Sequence, residues 1–326
     1  MSIQTARSRI LLAALTAVVL AVLFALASTG PADAARSCRP RKPCPAPSPT
    51  TPSPPPTTPE PTATSPAPDP ATSSPPAAGG WVTVLAETYD TGTAPDPNVW
   101  GVYDGPYGSD PHNCADPSQV FIAGGYLQFR LSYRPDLPLC GGGGGAPATR
   151  WYSGGMQLRA AYAAVDQRVT LTYRNVLTDP DARGAGVRDH KNFPMHFGDP
   201  QSPCWPAGGE IDYMEGSLPD DLQTFIHYGT DCAGSQVMGP VYPVDFTAWH
   251  TVRAQRHDHA VTVWVDDMVT PAWSYAGDAA TFPDVLQRLV LQQECRAAGC
   301  PAGTAPATGY TATVQVDSLT VDNWQP

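Results

Sequence analysis

Five segments of the chain alternate apolar and polar residues with a period of two: Tyr126–Tyr133, Arg168–Asn175, Thr224–Tyr228, Ala260–Val265 and Thr311–Val321. They are rich in Val, Thr, Tyr and Phe, and this alternation is typical of strands that bury one face. Turn clusters of Gly, Pro and Asp separate them, and no stretch has a convincing helical period. The segment Asp284–Glu294 fits either a strand or a short helix. The pattern predicts an all-β domain over residues 81–326, a jelly-roll sandwich of two antiparallel sheets.

The N-terminal residues have the features of an export signal. Arg7 and Arg9 precede an apolar run, Ile10–Ala27, and a small-residue cleavage site ends at Ala34. We therefore expect a cleaved signal peptide over residues 1–34. An uncleaved membrane anchor is the alternative, because a span takes roughly 17–25 apolar residues.

Residues 35–80 consist mainly of Pro, Thr, Ser and Ala, with almost no large apolar side chain. Such a segment cannot bury enough surface to fold, so we expect a disordered, semi-rigid spacer. Cys38 and Cys44, at its start, could close a small loop or bind a partner chain. Signal and spacer together predict a secreted or extracellular protein, and the spacer would suit association with a cell wall.

The acidic balance of the chain limits its partners. The formal net charge is -11 and the pI is about 4.9. We expect no nucleic-acid partner, because phosphate contacts need clustered Lys and Arg. Membrane association is expected only if the signal remains uncleaved, and we expect a monomer.

Eight cysteines in an exported chain imply disulfides. Their spacing suggests the neighbouring pairs Cys114/Cys140, Cys204/Cys232 and Cys295/Cys300, although connectivity does not follow from sequence. A zinc site is the alternative, but the short paired Cys-x-x-Cys spacing is absent from the sequence.

One short apolar segment, Glu210–Glu215, contains three carboxylates. In a regular strand Glu210 and Asp212 share a face, whereas Glu215 would point into the core with Ile211. A buried unpaired carboxylate is costly. One extra residue at position 213 or 214, a β-bulge, would bring all three acids to one exposed face.

Three like charges on one strand face destabilise a sheet, so their presence favours a functional role. Two carboxylates that flank a third suit cleavage of a glycosidic bond, because one can attack the anomeric carbon while the other protonates the leaving oxygen. The third can hold a shared proton and separate the two pKa values. An acidic surface strand and a metal site are the alternatives.

These residues resemble the signature of glycoside hydrolase family 16, the laminarinase-like enzymes, in which Glu-x-Asp-x-x-Glu follows a Gly-Gly pair and an upstream Trp-Pro. The corresponding residues here are Gly208-Gly209 and Trp205-Pro206. The resemblance covers about residues 81–326, is specific at the motif and is loose elsewhere. It implies that a concave sheet carries the motif in a substrate cleft.

The resemblance implies a retaining endo-glycosidase with Glu210 as nucleophile, Glu215 as general acid/base and Asp212 hydrogen-bonded to Glu210. The expected substrate is a β-linked polysaccharide, β-1,3-glucan or mixed-linkage glucan first. A galactan hydrolase, a transglycosylase and a non-catalytic β-glucan-binding receptor remain alternatives. No cofactor or catalytic metal is expected, and a structural calcium ion held by backbone oxygens is compatible with the family.

Three residues outside the motif are candidates for substrate binding. Trp205 could stack on a sugar, and the resemblance implies that His227 faces the cleft near the acid/base. Trp151 could cap a subsite. The alternative for each is a structural role in the core or at the sheet edge. His196 stands where relatives often carry tryptophan, a departure that leaves the substrate open.

Overall fold

Two antiparallel sheets form the body of the protein in the computed structural model, which describes residues 79–107, 114–141, 148–177, 189–198, 205–217, 220–229, 234–295 and 311–326. Within these ranges the regular structure is strand, apart from single 3-10 turns at Pro117–Gln119 and Ala160–Tyr162. The predicted all-β sandwich is therefore confirmed. The predicted signal, and the predicted spacer up to residue 78, lie outside the described residues.

The first sheet has nine strands. They are β1 (Gly80–Thr88), β5 (Val120–Ala123), β6 (Tyr126–Tyr133), β9 (Trp151–Tyr152), β11 (Gln167–Leu177), β16 (His250–His257), β17 (Ala260–Val265), β18 (Trp273–Ala276) and β20 (Thr311–Gln325). Their order is β18-β17-β16-β11-β20-β6-β5, with β1 paired to β20 and β9 paired to β6.

The second sheet has seven strands. They are β2 (Trp100–Val102), β10 (Gly155–Leu158), β12 (Asp189–Gly198), β13 (Glu210–Gly216), β14 (Gln223–Tyr228), β15 (Ser235–Val241) and β19 (Gln287–Cys295). Their order is β15-β14-β13-β12-β19-β10-β2, which places the acidic motif on an inner strand. Two short ribbons complete the described structure, β3 (Gly105–Pro106) with β4 (Cys114–Ala115) and β7 (Cys140–Gly141) with β8 (Ala148–Thr149).

The five alternating segments all lie in strands, and two of them, Tyr126–Tyr133 and Ala260–Val265, match strand bounds at both ends. Their apolar positions form one core between the sheets, as the fully buried Leu127 and Phe129 illustrate. The ambiguous segment Asp284–Glu294 is strand from Gln287 onward. Leu289, Val290 and Leu291 are buried in succession, and β19 pairs with both β10 and β12, so the segment is an interior strand instead of a helix.

A buried cation crosses the sandwich. Arg256 of β16 is 2% exposed, and its guanidinium donates hydrogen bonds to the carbonyl oxygens of Val165 (2.8 Å), Val285 (3.3 Å) and Pro283. Burial lowers the pKa of Arg256, and the backbone dipoles replace the lost water. The side chain therefore ties the first sheet to the segment that leads into β19 of the second sheet.

One predicted disulfide is present, between Cys114 and Cys140. Cys295 is also disulfide-bonded. Its predicted partner Cys300 lies outside the described residues, as do both members of the predicted pair Cys204/Cys232 and the spacer residues Cys38 and Cys44. Across the part of the chain that the structure describes, no helix has the length and apolarity needed to cross a bilayer.

Candidate active site

Strand β13 contains the predicted bulge. Its register with β14 shifts by one residue between Asp212 and Glu215. Two consecutive residues, Tyr213 and Met214, both point into the core with Ile211. The three carboxylates therefore share the opposite face of the sheet, which we call the site face. The sequence argument from parity is confirmed.

The site face is less exposed than predicted. Asp212 is 1% exposed and Glu215 is 9% exposed, while Glu210 is half-buried. Side chains from the neighbouring strands β12 and β14 cover the acids and contact their carboxylate oxygens. The expectation of one exposed acidic face was wrong because a pattern along one strand does not report what the adjacent strands place over it.

Hydrogen bonds to Gly208 and Gly209 fix the backbone just before β13. Gly209 has a φ of +79°, which favours glycine, and its carbonyl accepts a hydrogen bond from the Gly198 amide at 2.9 Å. The buried Gln287 side chain donates to the Gly208 carbonyl at 3.0 Å. Strand β12 and the start of β19 thus hold the backbone that immediately precedes Glu210.

Asp212 is held from both sides. Asn192 Nδ2 donates to Asp212 Oδ1, and His227 Nε2 lies 3.3 Å from Asp212 Oδ2. Asn192 is on β12 and His227 is on β14, so both neighbours of β13 contribute. His227 faces the site, as the resemblance implied, and contacts Asp212 directly.

Glu210 favours its protonated form. Burial raises the pKa of Glu210 to about 9, with the nearby charge of Asp212 as the second cause; the Trp205 hydrogen bond and the charge of His227 act in the opposite direction. A hydrogen bond also joins Glu210 to Asp212. Two carboxylates this close cannot both ionise freely, so the pair holds a shared proton.

Glu215 is paired with a residue that the sequence argument missed. His190 Nε2 of β12 lies 2.5 Å from Glu215 Oε1 and 3.9 Å from Glu294 Oε1 of β19. All three side chains are buried. The signal in the sequence is weak, because His190 stands in a polar run, Arg188–Asn192, with no apolar partner to reveal a strand.

Trp205 lies beside the site carboxylates with its indole partly open to solvent. Its side chain is 54% exposed, its Nε1 donates to Glu210 Oε2, and its ring centroid lies 5.0 Å from that of His227. An indole that is open to solvent on one side and hydrogen-bonded to a site carboxylate can stack on a sugar ring.

The substrate-binding prediction for Trp151 was wrong. Trp151 is 1% exposed and packs in a small core cluster with Leu131, Cys295 and Ala312. Strand β9 pairs with the edge of β6, which buries the indole instead of presenting it to solvent. The sequence Trp151-Tyr152 alone does not show whether the indole faces the core or the solvent.

His196 is a core residue. It is fully buried, and its Nδ1 shares a hydrogen bond of 2.8 Å with the Tyr213 hydroxyl. Burial lowers the pKa of His196 to about 3, with the charge of Arg256 as a second cause, so the imidazole is neutral at ordinary pH. The departure from tryptophan therefore alters the layer beneath the site, not its lining.

A second aromatic pair lies on the other side of β13 from Trp205. The rings of Tyr103 and Tyr107 are 5.2 Å apart, and Tyr107 donates to the Gln293 carbonyl at 2.8 Å. Burial, and then the charge of Glu210, raise the pKa of Tyr103, while Arg288 opposes them. Glu210 and Arg288 are thus both within electrostatic reach of Tyr103. Sequence reasoning missed this pair because it follows the three-residue strand β2.

Three side chains of the site also carry atoms that could ligate a metal cation. One ligand atom each from Asp212, Glu215 and His227 lies within 4.8 Å of the others. Hydrogen bonds to Asn192 and His190 already engage the two acids, so their arrangement is accounted for without an ion.

Comparison with solved structures identifies the fold. A variant of LamA from Zobellia galactanivorans, in complex with laminaritriose and laminaritetraose, superposes with a TM-score of 0.57 at 14% identity, over 74% of this chain and 98% of that one. The catalytic domain of an endo-1,3-β-glucanase (laminarinase) from Thermotoga petrophila superposes with a TM-score of 0.55 at 18% sequence identity. The match covers 75% of this chain and 98% of that one. A third structure comes from work on endo-acting O-glycanases that members of the human gut microbiota express to initiate mucin breakdown. It superposes with a TM-score of 0.58 at 16% sequence identity, over 75% of this chain and 91% of that one.

These likenesses confirm the jelly-roll fold predicted from the alternating segments. No protein-family model matches the chain, and no curated protein sequence matches it. The class defined by fold and site together is therefore a family-16-like jelly roll with a bulged strand of three acids.

Proposed function

We propose that this protein is a secreted, retaining endo-glycosidase that hydrolyses a β-linked polysaccharide, with β-1,3-glucan as the first candidate. The observation that carries the proposal is the bulge in β13, which gathers Glu210, Asp212 and Glu215 on one face. The structural likeness to a laminarinase domain supports the same class of substrate.

In this mechanism Glu210 attacks the anomeric carbon and Glu215 protonates the departing glycosidic oxygen. A covalent glycosyl intermediate forms on Glu210. Glu215, now a carboxylate, then takes a proton from a water molecule as the water oxygen attacks the anomeric carbon and displaces Glu210, which releases the sugar with its β configuration and restores both glutamates. A retaining pair requires carboxyl groups about 5–5.5 Å apart. The hydrogen bond from Glu210 to Asp212, and the 4.8 Å limit between Asp212 and Glu215, are compatible with that spacing.

Asp212 would control the charge of the nucleophile. Glu210 can attack only as an anion, yet its surroundings favour the acid. The shared proton can move to Asp212, whose carboxyl group Asn192 and His227 hold in place. This frees the Glu210 carboxylate and leaves the net charge of the pair unchanged.

The acidic chain favours a neutral polymer. With a net charge of -11, the protein repels densely sulfated or carboxylated chains over long range. Trp205 on one side of β13, and Tyr103 with Tyr107 on the other, offer aromatic surfaces along the direction in which a glucan would cross the strands.

The deciding experiment measures release of reducing ends from laminarin, mixed-linkage glucan, agarose and xyloglucan. We expect laminarin to be cut first, and proton NMR of the first product should show the β-anomer before mutarotation. An initial α-anomer would refute retention. Binding without release from any polymer would replace the enzyme with the receptor alternative.

Azide separates the roles of the two glutamates. With an activated β-glycoside, Glu210→Ala plus azide should give the α-azide, because azide replaces the nucleophile. Glu215→Ala plus azide should give the β-azide, because the nucleophile survives. The opposite products would exchange the two assignments.

A second candidate is an endo-acting O-glycanase on mucin-type glycans. It is favoured by the TM-score of 0.58 to the structure from work on mucin-degrading O-glycanases. Mucin O-glycans therefore belong in the same assay, and cleavage there but not of laminarin would select this candidate.

A further inference from the structure

His190 is a buried histidine at the site that has no part in the Glu-x-Asp-x-x-Glu motif. It is 7% exposed, and its Nε2 lies 2.5 Å from Glu215 Oε1. The same nitrogen is 3.9 Å from Glu294 Oε1, and its Nδ1 is 3.4 Å from Ser217 Oγ. Both ring nitrogens thus face groups that fix the orientation of the imidazole.

The backbone explains why this contact forms. His190 and Glu294 are directly opposed in the β12–β19 ladder, so their side chains share a face. On the other side of β12, Asn192 is opposite Glu215, which puts His190 one diagonal step from the acid. Three adjacent strands, β13, β12 and β19, therefore bring the row Glu215–His190–Glu294 together.

We propose that His190, which Glu294 Oε1 approaches to 3.9 Å, is a positioning residue for the general acid/base Glu215; this inference rests on the proposed function. The hydrogen bond to Oε1 restrains one oxygen of the carboxyl group, so the other is presented to the glycosidic oxygen. It also gives the acid a partner when it becomes a carboxylate after donating its proton.

Other charged groups around this row are Asp212 and His227 on the site side, Lys191, whose Nζ donates to the Ser217 carbonyl at 3.3 Å, and Asp221 beside Gly216. Asp212 and His227 are already paired with each other. The contact at 2.5 Å makes His190 a direct partner of Glu215.

The test uses leaving groups of different quality in the full-length protein. Laminarin needs its leaving oxygen protonated, whereas a 2,4-dinitrophenyl β-glycoside does not, and azide removes the need for a general base. For His190→Ala we expect a loss of about 10–100-fold in kcat on laminarin, the scale of a misplaced catalytic group, but less than about 3-fold on the activated glycoside with azide. His190→Gln, whose amide nitrogen reaches the position of Nε2, should restore most of the laminarin activity with an altered pH profile.

His250→Gln is the matched control, because His250 pairs with Asp266 at 2.7 Å at the first sheet and has no contact with the site. Equal losses of His190→Ala on both substrates, or no loss on laminarin, would overturn the inference. Thermal unfolding shows whether either variant is merely unstable.

A measurement independent of turnover separates this inference from the proposed function. The ¹⁵N signals of the His190 ring should shift on Glu215→Gln and on Glu294→Gln but not on Asp266→Asn. If the wild type cuts nothing, the proposed function fails, and unchanged His190 signals in Glu215→Gln would independently refute the pairing.

Discussion

Glu210 lies in surroundings that favour its neutral form, and this should make it a destabilising residue at neutral pH. Its pKa is raised from 4.5 to about 9, chiefly by burial. Below about pH 4 the residue is protonated in both the folded and the unfolded state. As the pH rises from there to about 9, the unfolded chain loses this proton first, so the free energy of unfolding decreases.

We therefore predict that Glu210→Gln stabilises the protein by the order of 1–3 kcal/mol at pH 8 and by much less at pH 4. Thermal unfolding of both proteins at the two pH values measures the difference. Asp317→Asn, at an exposed position of β20, is the control. A difference that does not change with pH would show that Glu210 is ionised in the folded protein as easily as in the unfolded one.

Trp205 acts on the same carboxyl group through its indole N–H. This hydrogen bond lowers the pKa of Glu210, so Trp205→Phe, which keeps an aromatic ring but lacks the donor, should raise it further. We expect the acidic limb of the kcat/KM profile to move to higher pH in Trp205→Phe. Trp205→Ala should in addition raise KM, because the stacking surface is lost. Identical pH profiles for wild type and Trp205→Phe would contradict this role.

At the scale of elements, the site depends on how closely the end of β12 approaches the turn before β13. A Cβ added at Gly198 would overlap the carbonyl oxygen of Gly208, whereas a Cβ at Gly80 in β1 would meet nothing within 4 Å. Gly198→Ala must therefore displace the backbone that leads into Glu210.

We predict that Gly198→Ala costs about 1–3 kcal/mol of stability and lowers kcat, while Gly80→Ala changes neither. Denaturant unfolding and laminarin assays on both variants test this. Unchanged activity in a destabilised Gly198→Ala would mean that the Gly208–Gly209 turn does not govern the position of the nucleophile.

Elements with a period of two could be predicted from sequence, and so could the bulge, because both follow from local parity. The pattern Glu210–Glu215 contains too many acids for an unbulged strand, and the structure shows the shift at that place. Contacts between strands could not be predicted in this way. The pairing of His190 with Glu215, and the burial of Trp151 against Leu131, depend on which strands are neighbours.

At the scale of the whole molecule, the Cys114–Cys140 disulfide closes a loop with a sequence separation of 26 residues. Restricting the unfolded chain by such a loop stabilises the fold by about 3 kcal/mol. We predict that Cys114→Ala/Cys140→Ala lowers Tm by about 6–12 °C, since 1 kcal/mol corresponds to about 2–4 °C in a domain of this size. Scanning calorimetry under non-reducing conditions measures the shift. An unchanged Tm would show that this cross-link adds nothing to global stability.

Strand β20 lies in the interior of the nine-stranded sheet, between β11 and β6, and it also pairs with β1. It comprises residues Thr311–Gln325, so a ribosome must add them before three other strands acquire their neighbour. Gly80 of β1 pairs with Gln325 of β20, so this contact joins the two ends of the described chain. The order of synthesis thus keeps this sheet incomplete until residues 311–325 have been made.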